Sequence, residues 1–280
     1  MSYKSILTVV TGQGESAGQA LAAGAALSRR EAGHLDVLCV GIDHTQTGYY
    51  YAGANAMILQ ETLDRTQKDA DELRRFVEAR LKAEDVPWAA EAAVAQIAGL
   101  ARLVAEPARF ADLVVLPRPY GEGRGIEDEA VIEAALFESH APVLVVPGTG
   151  LQESMGRRIV VAWNESAEAL SAVRKAMPLL ARADEVDIAI IDPPSHGPDR
   201  SDPGGRLSQM IARHGVRAEV SVLAKTMPRV SDVLRRHATD RNADLVVMGA
   251  YGHSRFREAI LGGATRNMLE SSELPLLLAH

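Results

Sequence analysis

Gly249, Gly252 and Gly262, followed by Gly263, Ala264 and Thr265, are the residues of this chain whose types and spacing best suit chemistry. They punctuate the stretch GAYGHSRFREAILGGATRNML, from Gly249 to Leu269. Glycine admits positive φ and lets a ligand approach the backbone closely. A helix start after Gly263 would leave free N–H groups at a positive dipole end, which suits a phosphate. Thr265 can add a hydroxyl, and Arg255 and Arg257 lie where they could screen phosphate charge. No nucleophile stands beside a base, so the chemistry that fits is binding. Taken alone, glycines after a strand read as a structural turn. The position after a buried strand and before a helix is what phosphate loops require, and it brings the two readings level.

Other chemistries find less support. No phosphate loop of the lysine-containing type is present. The eight histidines have no metal-ligand spacing, and His253 reads as a solvated loop residue. Asp192, Asp199 and Asp202 flank a Pro- and Gly-rich loop and read first as turn residues, with Mg beside a bound nucleotide as the lesser alternative. The single cysteine, Cys39, sits in the apolar run VLCVGI as an inert core thiol.

The elements that must position the glycines are written twice. ADLVVLPRPYG from Ala111 recurs as ADLVVMGAYG from Ala243. APVLVVP from Ala141 has its counterpart in LPLLLAH, and ILTVV…ESAGQAL echoes IVVAWNESAEAL. Three collinear matches predict a duplication. The boundary falls in GTGLQESMG, giving domains 1–148 and 157–280. In the second, RIVVAW, VDIAIID, RAEVSVLA, ADLVVMGA and LPLLLAH read as strands, with RAEVSVLA nearer an edge. Helices are expected over 165–182, kinked or broken at Pro178, and over 230–237 and 265–271. The first half follows the same order, with an insert: a cluster at Tyr49, Tyr50 and Tyr51, then a helix of about seven turns. Leu63, Ala70, Leu73, Val77 and Leu81 form the apolar face of that helix. Tyrosine packing is the simpler reading of the cluster, ligand stacking the alternative.

Alternating strands and helices predict an α/β fold of two tandem doubly wound, five-stranded parallel sheets. In such sheets ligands bind beyond the carboxyl ends of the strands, which places Asn164 near Gly249. The composition agrees: 47% hydrophobic residues but only 4% aromatic make an aliphatic core. A net charge of -7 argues against non-specific nucleic-acid binding. No secretory pattern or membrane-length apolar run is seen, so a cytoplasmic location is expected.

The spacing Gly249–Gly252–Gly262, with ADLVVM before it and TRNMLESSELPLLLAH after it, resembles the nucleotide-binding signature of the universal stress protein family. The likeness covers both halves, so the chain looks like a tandem, UspA-like member. The resemblance implies a Rossmann-like fold, of the adenine nucleotide alpha hydrolase-like kind, and an ATP site at the ends of the first, second and fourth strands. Carried over, the site is Ala162, Asn164, Ile190, Met248, Gly249, Gly252, Gly262, Gly263, Ala264 and Thr265. Two residues depart from the family pattern. Gly263 stands where a Ser is frequent, and Asn164 where an Asp is usual. The resemblance also implies an intramolecular pseudo-dimer of the two halves through their last strands, with a homodimer of chains as a further option.

The first half lacks the same parts. Pro117 stands at the position of Gly249 and Tyr120 at that of Gly252, with Glu127, Asp128 and Glu129 where the next helix begins. Acids there would repel a phosphate, so the N-terminal nucleotide loop reads as degenerate. The same scaffold therefore closes without those glycines, which points to a ligand as their reason. Three functions stay open: an ATP-binding stress-response or regulatory module, a nucleotide-free interaction protein, and a slow ATP-hydrolysing enzyme.

Overall fold

The computed structural model describes residues 2–44, 56–193, 202–250 and 263–280. Contacts divide the chain into two compact units, Tyr3–Ala141 and Pro142–His280, the latter together with Met1–Ser2.

The first unit holds β1 (Ser5–Val10), α1 (Glu15–Glu31), β2 (His34–Asp43), α2 (Ala56–Leu81), β3 (Trp88–Gln96), α3 (Ile97–Ala108), β4 (Leu113–Pro117) and α4 (Ile126–Glu133). A π-helical turn over Ala134–Glu138 extends α4. The strands lie in the order β3-β2-β1-β4, all parallel. α2 has 26 residues, and Ala70, Leu73, Val77 and Leu81 are buried along it. Leu63 does not join them; it is 42% exposed. Correct helical spacing did not bury it, because burial depends on what α2 packs against as well as on its period. The tyrosine cluster lies outside the described residues.

The second unit begins with β5 (Val143–Val146), the last strand of the first repeat. It continues with β6 (Arg158–Ala162), α5 (Ala167–Leu180), β7 (Glu185–Ile191), α6 (Gly205–Ala212), β8 (Ala218–Leu223), α7 (Val230–Asp240), β9 (Leu245–Gly249), α8 (Ala264–Ser271) and β10 (Leu276–Ala279). The order is β8-β7-β6-β9-β10-β5. The five strands of the second repeat are parallel, and β5 joins β10 antiparallel, Val143 opposite Leu278. Both strands are fully buried runs of Val and Leu, which fits a central place in a sheet. β8 is the edge strand, with Val220 and Val222 exposed.

Two local readings change. Pro178 does not break α5, which runs two residues beyond it to Leu180. A proline in a last turn removes only one bond of a helix that is already ending. Helix α6 lies in a stretch to which the sequence pattern assigned no element; its eight residues bury only Leu207 and Ile211, too short a period to detect.

Each repeat fastens its first strand with the same aspartate. Asp112 Oδ2 accepts from Lys4 N (2.7 Å) and Ser5 N (3.0 Å). Asp244 accepts from Gly156 N (2.9 Å), Arg157 N (3.1 Å) and Arg158 N (3.1 Å). Bonds to a charged acceptor contribute about 1.5–3 kcal/mol each before coupling. Asp244→Ala is therefore expected to lower the unfolding free energy of the second unit, read by urea denaturation, by about 3 kcal/mol. A change under about 0.5 kcal/mol, the range of an ordinary surface substitution, would mean the carboxylate fastens nothing.

Cys39 lies on β2, fully buried. Burial pushes its thiol up to about 12. The unfolded chain releases this proton near 9.0 and the folded chain holds it, so stability falls as pH rises from 9 towards 12. Native protein at pH 8 is expected to be inert to an aromatic disulfide reagent that reacts at once in denaturant. Equal rates in the two states would overturn this.

Candidate functional site

The carboxyl ends of β6, β7 and β9 are brought together by register. β6 lies between β7 and β9, and Ala162 is level with both Ala189 and Met248. Paired positions point to the same face of a parallel sheet. Ala162, Ala189 and Met248 therefore share one face. Ile190, one step further along β7, points to the other. Both Ile190 and Met248 are buried, at 4% and 6% exposure, but they do not form one wall. Reading Ala189 as the level partner of Ala162 needs a strand register that the sequence does not carry.

Beyond Ala162 the chain turns into α5. Asn164 is exposed, and its Oδ1 accepts from Ser166 N (3.2 Å). The turn thus uses the acceptor of the amide and leaves its NH2 donors facing solvent. Ser166 caps α5, its hydroxyl accepting from Ala169 N (3.1 Å). Glu165 takes positive φ (63°) to make the corner.

Gly249 ends β9 directly against the start of α5. A Cβ there would stand 2.5 Å from Ala169 N and 2.7 Å from the Glu168 carbonyl carbon. Rigid backbone cannot yield to that contact, so helix–strand packing alone demands glycine here. This revises the inference that a ligand is the reason for all these glycines. Gly249 has a packing reason of its own; its counterpart Pro117 in the first repeat shows that the two repeats pack this corner differently.

Gly252 and Gly262, with His253, Arg255 and Arg257, lie outside the described residues. Gly263 is the N-cap of α8, extended at φ −57° and ψ 157°, with no side-chain cap and no acid in the first turn. Because β9 and β10 are parallel, α8 runs back against them and its N-terminus lies at the carboxyl end of the sheet. Ala264 is exposed there. Thr265 is 3% exposed and has a partner within the chain, so its side chain faces the fold rather than solvent.

At the corresponding end of the first unit the helix start is already occupied. A cleft of about 410 Å³ opens beside Val10, Gly12, Pro117 and Arg124. At its edge Asp128 turns back on the N-terminus of α4 and accepts from Gly125 N (2.9 Å), while Arg124 Nη1 pairs with its other oxygen (2.9 Å). Both side chains are largely buried, at 15% and 10% exposure. The carboxylate sits where a helix N-terminus would otherwise receive an external anion. Among the described residues no group of three or more His, Cys, Asp or Glu converges as a metal site. No described helix is long and apolar enough to cross a membrane.

Comparison with known proteins agrees with this architecture. Residues 155–280 match the model of the universal stress protein family. This part of the chain is a universal stress protein domain, and the whole chain carries that fold. A universal stress protein of Archaeoglobus fulgidus DSM 4304 superposes with a TM-score of 0.70 at 15% identity, covering 99% of this chain and 97% of that one. A protein described as a putative universal stress protein, from Pseudomonas aeruginosa UCBPP-PA14, gives 0.59 at 15% identity, covering 99% and 93%. Universal stress protein Slr1230 of Synechocystis is 30% identical over 73 residues, 26% of this chain. The chain spans 24% of the length of that relative.

Proposed function

We propose that the second unit binds ATP at the carboxyl ends of β6, β7 and β9, and that the protein acts as a nucleotide-responsive stress or regulatory module. The observation that carries this reading is the contrast between two helix starts. The α8 N-terminus has glycine as its N-cap and no acid in its first turn, whereas the α4 N-terminus is occupied by Asp128 and neutralised by Arg124. The triphosphate would lie on Gly263, Ala264 and the glycines Gly252 and Gly262, which the family resemblance assigns to it. Ala162 and Met248 would border the adenosine, and Asn164 would donate its amide N–H to a base or ribose acceptor. This donor replaces the carboxylate usual at that position, so the nucleoside would meet a neutral donor there rather than a charged acceptor. Mg would accompany the phosphates, held by them and by water.

The cytoplasm is the compartment that supplies such a ligand. Nothing at this end of the described sheet pairs a nucleophile with a base, so turnover is expected to be slow or absent. Calorimetry with Mg-ATP tests the reading, alongside mass spectrometry of nucleotide released from purified protein. Gly252→Val is expected to abolish binding without changing the melting temperature. Absence of binding in the parent protein would favour a nucleotide-free interaction protein, and steady ATP turnover at saturating Mg would favour an enzyme.

A further inference from the structure

β8 pairs with β7 on one side and ends the sheet on the other. Asp192 N donates to Leu223 O (2.9 Å), so the backbone groups of Leu223 face β7. Alternation along a strand turns those of Glu219 and Ser221 the same way, and those of Val220, Val222 and Ala224 towards the open edge. The side chains of this edge are apolar: Val220 is 39% exposed and Val222 55%. Both lie on one face of the sheet, level with Ile188 and Ile190.

Native edge strands are commonly kept from pairing by charge, proline, a bulge or a covering segment. β3, the edge strand of the first unit, exposes Ala89, Glu91 and Gln96 and no large apolar side chain. The two repeats thus treat the same strand differently, and the valines of β8 are not a requirement of the fold.

The charges along β8 specify what can pair with it. Glu219 and Lys225 stand three residues before and three after Val222, and both are exposed. Glu219 uses Oε2 on Arg241 (3.0 Å), and Lys225 has no ion pair among the described residues. A second β8 laid antiparallel on this edge, about a two-fold axis at Val222, sets Glu219 opposite Lys225 of the partner subunit, twice by symmetry. Val222 then faces Val222 of the partner subunit as a hydrogen-bonded pair, each N–H donating to the other's carbonyl. Ala224 N–H donates to the carbonyl of Val220 of the partner subunit. The Ala224 carbonyl itself already accepts from Thr226 N (2.9 Å), which ends the ladder there. The neighbouring register, centred on Ser221, would set Arg217 opposite Lys225 of the partner subunit, and like charges oppose it.

We infer that β8 is a contact between two copies of this chain. They pair their β8 strands antiparallel about Val222, and the valines form an apolar patch closed at each end by Glu219 and Lys225. The partner is a second copy because the edge complements itself in both charge and hydrogen-bond phase. A contact of one strand on each side is small, so the dimer is expected to exchange with monomer.

Sedimentation equilibrium of the full chain over about 1–100 μM tests this, and a monomer–dimer equilibrium is expected. Val222→Lys sets two ammonium groups against each other at the axis. It is expected to weaken dimerisation about tenfold while the monomer, changed only at an exposed position, stays folded. Glu219→Lys and Lys225→Glu are each expected to weaken it about fivefold, and the double variant carrying both to recover the parental affinity. That recovery reports the register, because two unrelated surface changes would not repair each other. A chain that stays monomeric up to about 100 μM, a dimer untouched by Val222→Lys, or a double variant no better than the single ones would each overturn the proposal. ATP binding is measured separately, and neither result depends on the other.

Discussion

Arg266→Asp is expected to remove ATP binding from the second unit while leaving its melting temperature the same or higher. Arg266 is the third residue of α8, as Asp128 is the third of α4. In α4 that carboxylate closes a capping box on Gly125 and fills the helix start. The substitution transplants the same device: the new carboxylate can accept from the Gly263 N–H, which favours the helix. It also sets a negative charge where the phosphates are proposed to lie and removes a positive one. The combined change is worth roughly 2 kcal/mol, about thirtyfold in affinity. The lost Arg266–Glu270 pair (2.8 Å) is an exposed i,i+4 contact and contributes little to stability. Calorimetry and a thermal melt on the same sample separate the effects. Unchanged ATP affinity in a folded variant would show that the phosphates do not use this helix, and would remove the main support for the proposed site.

Gly249→Ala is expected to cost about 3 kcal/mol of stability in the second unit, with or without nucleotide. The added methyl meets backbone atoms of Glu168 and Ala169 at 2.5–2.7 Å, and neither can turn aside. Either α5 lifts from β9 or β9 twists, and both disturb buried side chains, among them Ala169 and Met248. A fall in melting temperature of about 10 °C follows for a unit of this size. The contrast with Gly252→Val is informative. That variant is predicted to lose ligand and keep stability; this one loses stability first. If Gly249→Ala melted with the parent and only failed to bind ATP, the glycine would be there for the ligand and the packing explanation would be wrong.

The difference between these two glycines shows where reading residues alone runs out. All the glycines of the stretch look alike in sequence, and the missing set in the first repeat invited one explanation for them together. Three-dimensional contact gives Gly249 a reason of its own, because the atoms that exclude a side chain there belong to residues eighty positions earlier. Asn164 illustrates the same limit. Its type suggested either donating or accepting, and only the turn to Ser166 decided which half of the amide stays available.

What the sequence by itself determined is the part governed by local periodicity and repetition. Short apolar runs alternating with helical periods specify an α/β sheet, and the duplicated ADLVV and ILTVV motifs specify two copies of it. Those signals are local, and burial on both faces of a parallel strand writes them as continuous Val and Leu. Tertiary structure alone decided what depends on pairing between distant segments. It placed β5 beside β10, split Ile190 and Met248 between opposite faces, and left Leu63 exposed on a helix whose other apolar positions are buried. It also gathered Asp187, Ser221, His237 and Arg241 into one buried cluster that no spacing announces. Register and packing partners are set by the whole folded chain, where a shift of one residue moves a side chain to the other face.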